Sequence, residues 1–456
     1  MKRLNTYKTF AMIGMLTCSI SGCSKYLGLK PDNSFSVPGS LQDLQGLLDN
    51  SEVVMNFAAT GLAEIASDSY YLNETSWTAM TDERDRFLYL WQPYSPIASQ
   101  WTGPYQAILH ANTVLKYLPS IKISPGEITV ANSLRGAALF HRAYQLLHLL
   151  QVFSLPYDPA GSNDNLGVVL RKEPSLDEKI SRSTVRQCYD FIIGDLKESV
   201  NLLPEKADIP TRPSKAAAYA ALARAYLVMS AFENAGRYAD SALMIQPDLI
   251  DYGTEINTAS NVPFSKWNKE VIFDMAMNGG APLAPARRRV NIAEYGNYEE
   301  SDLRKKAFFS LNNQGEVLFK GNYNGLNSSQ LFCGPTTAEM YLIRSETNIR
   351  KNRLSEAAKD INTLRAKRFA SSDFSEVEFT EQKWAMDFIK KERRRELIFR
   401  GQRWPDVRRY ILLGEQEETM TRIAGGKIYT MTAPDIVGYT YKLPDEVIDN
   451  GSLIQN

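Results

Sequence analysis

The sequence predicts a mainly α-helical protein, a scaffold of tetratricopeptide-like helical repeats carrying long irregular, partly β insertions. Two observations carry this. Tyr219, Leu222, Ala223, Tyr226, Ala235, Ala239, Ala242 and Pro247 fall at positions 4, 7, 8, 11, 20, 24, 27 and 32 of a repeat unit, the marked positions of such a helix pair. Small residues at 8 and 20 let the two helices approach, and larger ones at 4, 7 and 11 fill the groove to the next repeat. The segments 50–102 and 251–333, by contrast, interrupt the helical rhythm with Asn, Gly, Pro and short apolar runs. Irregular stretches of that length in a compact fold are usually functional.

In chain order, Ser24 to Asp49 reads as a tether punctuated by Pro31, Pro38 and Gly39, followed by a helix over Leu41–Leu48 with Ser40 as its N-cap. Trp101–Leu118 and the strongly apolar Leu134–Phe153 read as helices. The stretch from Leu155 to Arg182 reads as a loop, and Ser183 or Thr184 caps a helix running to Leu203. These last two helices form a split repeat with the loop inserted between them. The pair at 219–247 follows. Val271-Ile272-Phe273 and Val317-Leu318-Phe319 read as strands. A weaker repeat, Tyr341, Ser345, Ala357, Ile361 and Leu364, spans Thr337–Lys367 and is broken by Asn348 at position 11. One repeat cannot bury its own apolar face, so several must stack.

The N-terminus sets the compartment. Lys2, Arg3 and Lys8 precede the short apolar run Phe10–Ile20, and Ile20-Ser21-Gly22-Cys23 resembles a bacterial lipobox. The expectation is a signal peptide over 1–22, lipidation at Cys23 and one domain over 23–456. Its helices would lie at about 103–250 and 335–413, with ligand-side segments at about 50–102 and 251–333. A single acyl chain binds a membrane marginally, so a diacylated cysteine is what anchors such a protein stably.

Lys+Arg and Asp+Glu both number 52, so the basic excess of a nucleic-acid binder is missing. No CxxC, Walker A, GxGxxG or GxSxG motif occurs. Cys188 and Cys333 are expected as separate thiols. His141 and His148, seven apart, are expected as partly exposed helix residues rather than a metal pair. No cofactor or metal is expected. Asp68, Glu74, Asp82, Glu83 and Asp85 are numerous enough to raise a periplasmic glycoside hydrolase as an alternative, but glycosidases need two carboxylates set across a cleft. A repeat scaffold assisting outer-membrane assembly is the other alternative, and the long insertions argue against it.

Near the C-terminus, Lys390 to Glu396 carries a basic run with Glu392, Glu396 and Arg400 spaced by four on one helical face. This predicts an internal ion-pair ladder. Trp404-Pro405-Asp406 restarts a short helix, with Arg409 three residues beyond Asp406. Glu392, Arg393, Glu396, Arg403, Asp406 and Arg409 are therefore expected to be structural, buried and paired.

Those residues carry a resemblance. Glu392-Arg393-Arg394-Arg395-Glu396-Leu397-Ile398-Phe399, Gly401-Gln402-Arg403-Trp404 and Asp406-Val407-Arg408-Arg409 are similar to the C-terminal hallmark of SusD/RagB nutrient-binding outer-membrane lipoproteins. Tyr441-Lys442-Leu443-Pro444 resembles that family's closing segment, and Arg135-Gly136-Ala137 with Phe153-Ser154-Leu155-Pro156-Tyr157 its central helix and loop. Arg400 departs from the pattern, standing where an acid is frequent. The resemblance implies a SusD-like fold and binding of an oligosaccharide or peptide without catalysis. It also implies a TonB-dependent SusC-like transporter as partner, and a lipid-anchored place on the outer membrane facing the exterior. Sugars stack on aromatics, which makes Tyr70, Tyr71, Trp77, Trp91, Tyr94, Trp267, Tyr295, Tyr298 and Tyr323, all in the irregular segments, the candidate ligand contacts.

Overall fold

Ser40 starts the first helix as its sequence suggests. Its hydroxyl accepts the Asp43 amide at 3.1 Å while the Asp43 carboxylate accepts the Ser40 amide at 3.0 Å, a reciprocal cap. The computed structural model describes residues 37–175 and 180–456, so the expected signal peptide and Cys23 lie outside the described residues. Ser40–Asn456 packs as one unit.

The longer helices are α1 (Leu41–Leu48), α2 (Ser99–Tyr117), α3 (Ile128–Phe153), α4 (Val185–Leu202), α5 (Lys215–Val228), α6 (Phe232–Ile245), α7 (Thr337–Arg350), α8 (Leu354–Arg365), α9 (Gln382–Glu396) and α10 (Arg403–Leu412). From α2 to α8 each packs on the next and α9 packs back on α7, a continuous stack in which α3 and α4 form the split repeat. Thr184 caps α4 through a box with Gln187. The helix α3 begins six residues before Leu134. Its first turns carry exposed Thr129 and Asn132, so apolar periodicity cannot reveal them, and a Ser124–Glu127 capping box sets the start.

Alanine makes the central pair possible. Ala223 on α5 and Ala235 on α6 are both fully buried, so the two backbones approach closely. Ala239 replaces the large residue usual at its position, and Tyr238 beside it stacks on Tyr226 (centroids 5.6 Å apart, 3° between planes) and on Tyr219. Between repeats, a Cβ on Gly236 of α6 would lie 2.4 Å from the Thr347 hydroxyl of α7, so only glycine allows that spacing. In the second pair Ser345 donates to the Ala357 carbonyl at 3.0 Å, a polar weld between α7 and α8.

The insertions hold short strands. Ala59–Thr60 runs parallel to Ala276–Asn278, which pairs antiparallel with Gln330–Phe332. Tyr70–Leu72 pairs with Arg288–Val290, and Phe309–Leu311 with Val317–Phe319, the latter as expected. Two expectations fail here. Val271–Phe273 is not a strand. Its residues are buried on all sides and bond to loops, with the Ile272 amide on the Pro335 carbonyl, and the strand lies three residues on. The stretch 155–182 is not all loop. Leu166–Val169 pairs with Arg182–Thr184 where Gly167 lies against the Cys188 sulfur. Cys188 and Cys333 are separate buried thiols, and burial pushes Cys188 up to about 11. His141 and His148 are buried against Phe140, Tyr144 and Phe273, not partly exposed, and burial lowers both to about 3, which keeps them neutral.

The charged helix α9 departs most from expectation. Glu392, Arg393 and Glu396 are buried, but their partners are not one another. Glu392 meets Arg304 at 2.7 Å, and Glu396 meets Arg304 at 2.9 Å and Arg368 at 2.8 Å. Arg304 also takes Asp302, and Arg368 takes Glu270 at 2.8 Å. Arg393 and Arg409 share Asp406, each at 3.0 Å, and Arg409 reaches Glu346 on α7. Arg403 and Arg394 hold Asp68, each at 2.8 Å. The ladder is therefore a lattice: Arg393 and Arg409 pair with Asp406 within the hallmark segment, as expected, whereas Glu392 and Glu396 take arginines from distant segments. Burial raises Glu392, and Arg304 more than offsets this, holding its carboxyl down at about 2. Arg400, at the departure from the pattern, stacks its guanidinium 3.7 Å over the Tyr323 ring. Removing one member of such a lattice leaves other charges buried and uncompensated. Glu396→Ala is expected to lower the unfolding free energy by about 3–5 kcal/mol in urea titration; an unchanged midpoint would contradict the lattice.

Candidate functional site

Strand alternation sorts the aromatics of the first insertion. In Tyr70–Leu72, Tyr70 and Leu72 point inward and Tyr71 outward, where it is 37% exposed. Asn73 then caps the short helix Glu74–Thr78, accepting the Ser76 amide at 2.9 Å, and so presents half-buried Trp77. The Trp77 indole N–H donates to the Arg86 carbonyl at 3.3 Å, which fixes the ring plane.

Glu316 ties this segment to the second insertion. It accepts from Asn73 at 3.0 Å, Arg289 at 2.5 Å and Asn312 at 2.8 Å. The Arg289 hydrogen bond holds its carboxyl below the usual range. Arg289 lies opposite Tyr71 in the strand pair. Asp85, raised by burial and by Asp82, lies within the field of Arg287, and Phe87 stacks on Tyr94 at 5.1 Å. Hydrogen bonds join Asn73, Arg289, Asn312 and Glu316, with Tyr71 opposite Arg289 and Trp77 on the helix that Asn73 caps, into one strip whose Arg289 and Glu316 charges compensate each other.

The other sequence candidates separate by burial. Tyr70, Trp91, Tyr298 and Tyr323 are at most 6% exposed and are core side chains, out of reach of a ligand. Trp91 donates to the Ala66 carbonyl at 3.0 Å with Arg422 over its ring, and the Tyr323 hydroxyl meets that of Tyr252 at 2.5 Å. Tyr295 is half-buried, edge-on to Phe309 with Lys305 4.7 Å over its ring. Trp267 stands apart from the strip, 42% exposed, with its N–H on Asp274 at 2.8 Å and Lys266 5.0 Å from its ring. Its backbone is left-handed, φ +59°, a strained state for a bulky residue. Sequence reasoning missed the polar partners Arg289, Asn312 and Glu316, because nothing local marks them; Asn73, an Asn directly before a short helix, was readable as a cap.

Of the carboxylates weighed for hydrolysis, Asp68 is consumed by Arg394 and Arg403, Asp82 pairs with Arg84 at 3.0 Å, and Glu74 accepts the Gly425 amide. Among the described residues no group of three His, Cys, Asp or Glu side chains could hold a metal, and no helix is long and apolar enough to cross a membrane.

One buried acid links the first insertion to the hallmark loop. Glu64 accepts the Gly401 amide and the Ser67 hydroxyl, each at 2.8 Å. Burial pushes its carboxyl up to about 7 despite both bonds. A raised acid contributes stability below its unfolded value, near 4.5, and that contribution is lost as pH climbs through about 7. Glu64→Gln is expected to gain on the wild type by up to about 3 kcal/mol between pH 5 and 8, read from urea midpoints; a pH-independent difference would contradict this.

Comparison with known proteins agrees with this architecture. A family model described as "Starch-binding associating with outer membrane" matches residues 25–227, and one described as "SusD family" matches residues 293–453. A SusD-like protein of Formosa agariphila is 23% identical over 379 residues, covering 70% of this chain and 72% of that one. The crystal structure of a putative sugar binding protein from Bacteroides vulgatus superposes with TM-score 0.74 at 20% identity, over 92% of this chain and 99% of that one. A SusD superfamily protein from Bacteroides thetaiotaomicron gives 0.73 at 20% identity, over 91% and 99%.

Proposed function

The chain belongs to the SusD family, and on that premise we propose that it is a cell-surface lipoprotein that captures an oligosaccharide and passes it to a TonB-dependent SusC-like transporter. The observation that carries the binding half is the strip. Tyr71 is exposed and Trp77 half-exposed, Trp77 is held by a hydrogen bond to backbone, and both stand beside polar groups whose charges are already compensated. A sugar has apolar faces and hydroxyl edges. It needs a flat ring to stack on and donors and acceptors at the rim, and it brings no charge. Tyr71 and Trp77 make the main contacts, with Trp267 and Tyr295 as outlying stacking faces. In this reading the ligand leaves unchanged: Asp68 is committed to Arg394 and Arg403 and Asp82 to Arg84, so neither is free to serve in an acid–base pair.

A shallow surface buries only part of its ligand, so affinity lies on the order of micromolar to millimolar. Trp77→Ala is expected to weaken oligosaccharide binding roughly tenfold in calorimetry, the loss of about one stacking contact, with an unchanged melting temperature. Binding of peptides and of no glycan would move the ligand class to peptide, and release of cleaved product would overturn the non-catalytic reading.

The anchor is Cys23, which follows the small residues of the lipobox. Cys23→Ala is expected to move the protein from the membrane fraction to the soluble fraction. Protease accessibility on intact cells tests whether the anchored body faces outward.

A further inference from the structure

The hairpin formed by Thr419–Ala424 and Lys427–Thr432 has two faces of opposite character. Its inner face carries Met420, Arg422, Ala424 and Met431, all buried. Arg422 enters the protein to bond the carbonyls of Tyr89, Ile65 and Ser67, and its guanidinium lies 4.1–5.3 Å from the ring centroids of Tyr70, Tyr89 and Trp91. The hairpin is thus pinned rigidly over the first insertion. Its outer face consists of the cross-strand pairs Thr419–Thr432, Thr421–Thr430 and Ile423–Ile428. None of these six side chains is charged. Ile423 is 63% and Ile428 70% exposed.

Exposed strands usually carry lysine or other charges that repel casual contacts. An uncharged, β-branched face with an exposed isoleucine pair at its tip marks a contact surface. The tip adjoins the strip: the Gly425 amide donates to Glu74 at 2.9 Å, and a Cβ on Gly425 would lie 3.7 Å from the Trp77 ring. Resting on the oligosaccharide reading above, we propose that this face continues the binding surface. The ligand is then an extended neutral polymer running from Trp77 onto the hairpin, not a one- or two-ring sugar. Three rows spaced two residues apart extend the platform by roughly 14 Å at a strand rise of about 3.4 Å per residue. The absence of charge matches a neutral chain. A six-residue face falls well short of the ~800 Å² per partner that a stable protein dimer needs, so a single narrow strand of ligand is the occupant that fits.

The test is a chain-length series on the purified protein, maltose to maltooctaose with the matching cello- and manno-oligosaccharides, compared between wild type, Ile423→Asp, Ile428→Lys and Trp77→Ala. Wild-type affinity is expected to rise with length. Both hairpin variants should bind the two-ring sugars as wild type does and lose at least fivefold for the longest members, whereas Trp77→Ala weakens every length. The exposed positions leave folding intact, and circular dichroism checks this. A wild-type affinity that stops rising at two rings, or hairpin variants that track wild type at every length, overturns the proposal and leaves the strip standing. Binding of no oligosaccharide at all overturns both. A concentration-dependent dimer abolished by the hairpin variants assigns the face to a second copy and overturns the polymer.

Discussion

Charge buried without a partner costs several kcal/mol, and that penalty organises this molecule. The helix α9 carries Glu392, Arg393 and Glu396 into the interior, where no water can compensate them. Compensation comes from far away in the chain: Arg304 from the second insertion, Arg368 from the end of the second repeat pair, Glu346 from α7. Asp68, from the first insertion, is held by Arg394 and Arg403. Each insertion is therefore docked on the helical stack by ions that cannot separate cheaply. Replacing such a lattice with apolar residues would often be neutral for stability. What it provides is a single arrangement, since a shifted insertion would leave an arginine facing nothing.

That constraint explains how long irregular segments can present a defined surface. Loops without regular hydrogen bonding are normally mobile. Here their backbones are tied by side chains: Arg422 to three carbonyls, Arg408 to those of Gln151, Ser154, Val437 and Tyr439, Asn56 to those of Thr211 and Asp274. Rings fixed in this way lose little entropy when a ligand stacks on them, which is how a shallow site keeps useful affinity. The repeats supply rigidity through small residues, and the insertions supply chemistry through aromatics. The lattice joins the two.

The sequence reveals the first of these and only part of the others. Ala223 and Ala235 were legible because helical periodicity converts spacing into contact directly. Ser40 and Thr184 were legible because a cap needs only its own neighbours. The basic run was readable as ionic, but not its partners, because Arg304 lies 88 residues before Glu392 in sequence (392 − 304) and no local rule links them. The aromatics show the limit most clearly. Trp77 and Trp91 sit in the same insertion amid similar residues, yet one is half-exposed and the other is core. What separates them is Arg422, more than 300 residues away, whose guanidinium lies 4.2 Å from the Trp91 ring centroid.

The acids inside the body pull stability in opposite directions with pH. Glu392, depressed by Arg304, contributes above its unfolded value near 4.5 and loses that contribution only as pH falls toward about 2. Glu64, raised by burial, contributes below 4.5 and loses its share as pH passes about 7. Depressed acids such as Glu346 act with the first, and raised ones such as Glu270 and Glu294 with the second. The two contributions are largest together near pH 4.5, and they decline on either side, the first toward about 2 and the second toward about 7. Glu64 bonds the amide of Gly401 in the hallmark loop, while Glu392 anchors the helix that precedes it. The same short region is thus loosened from one side by acid and from the other by base, and its hold on the first insertion is firmest between them.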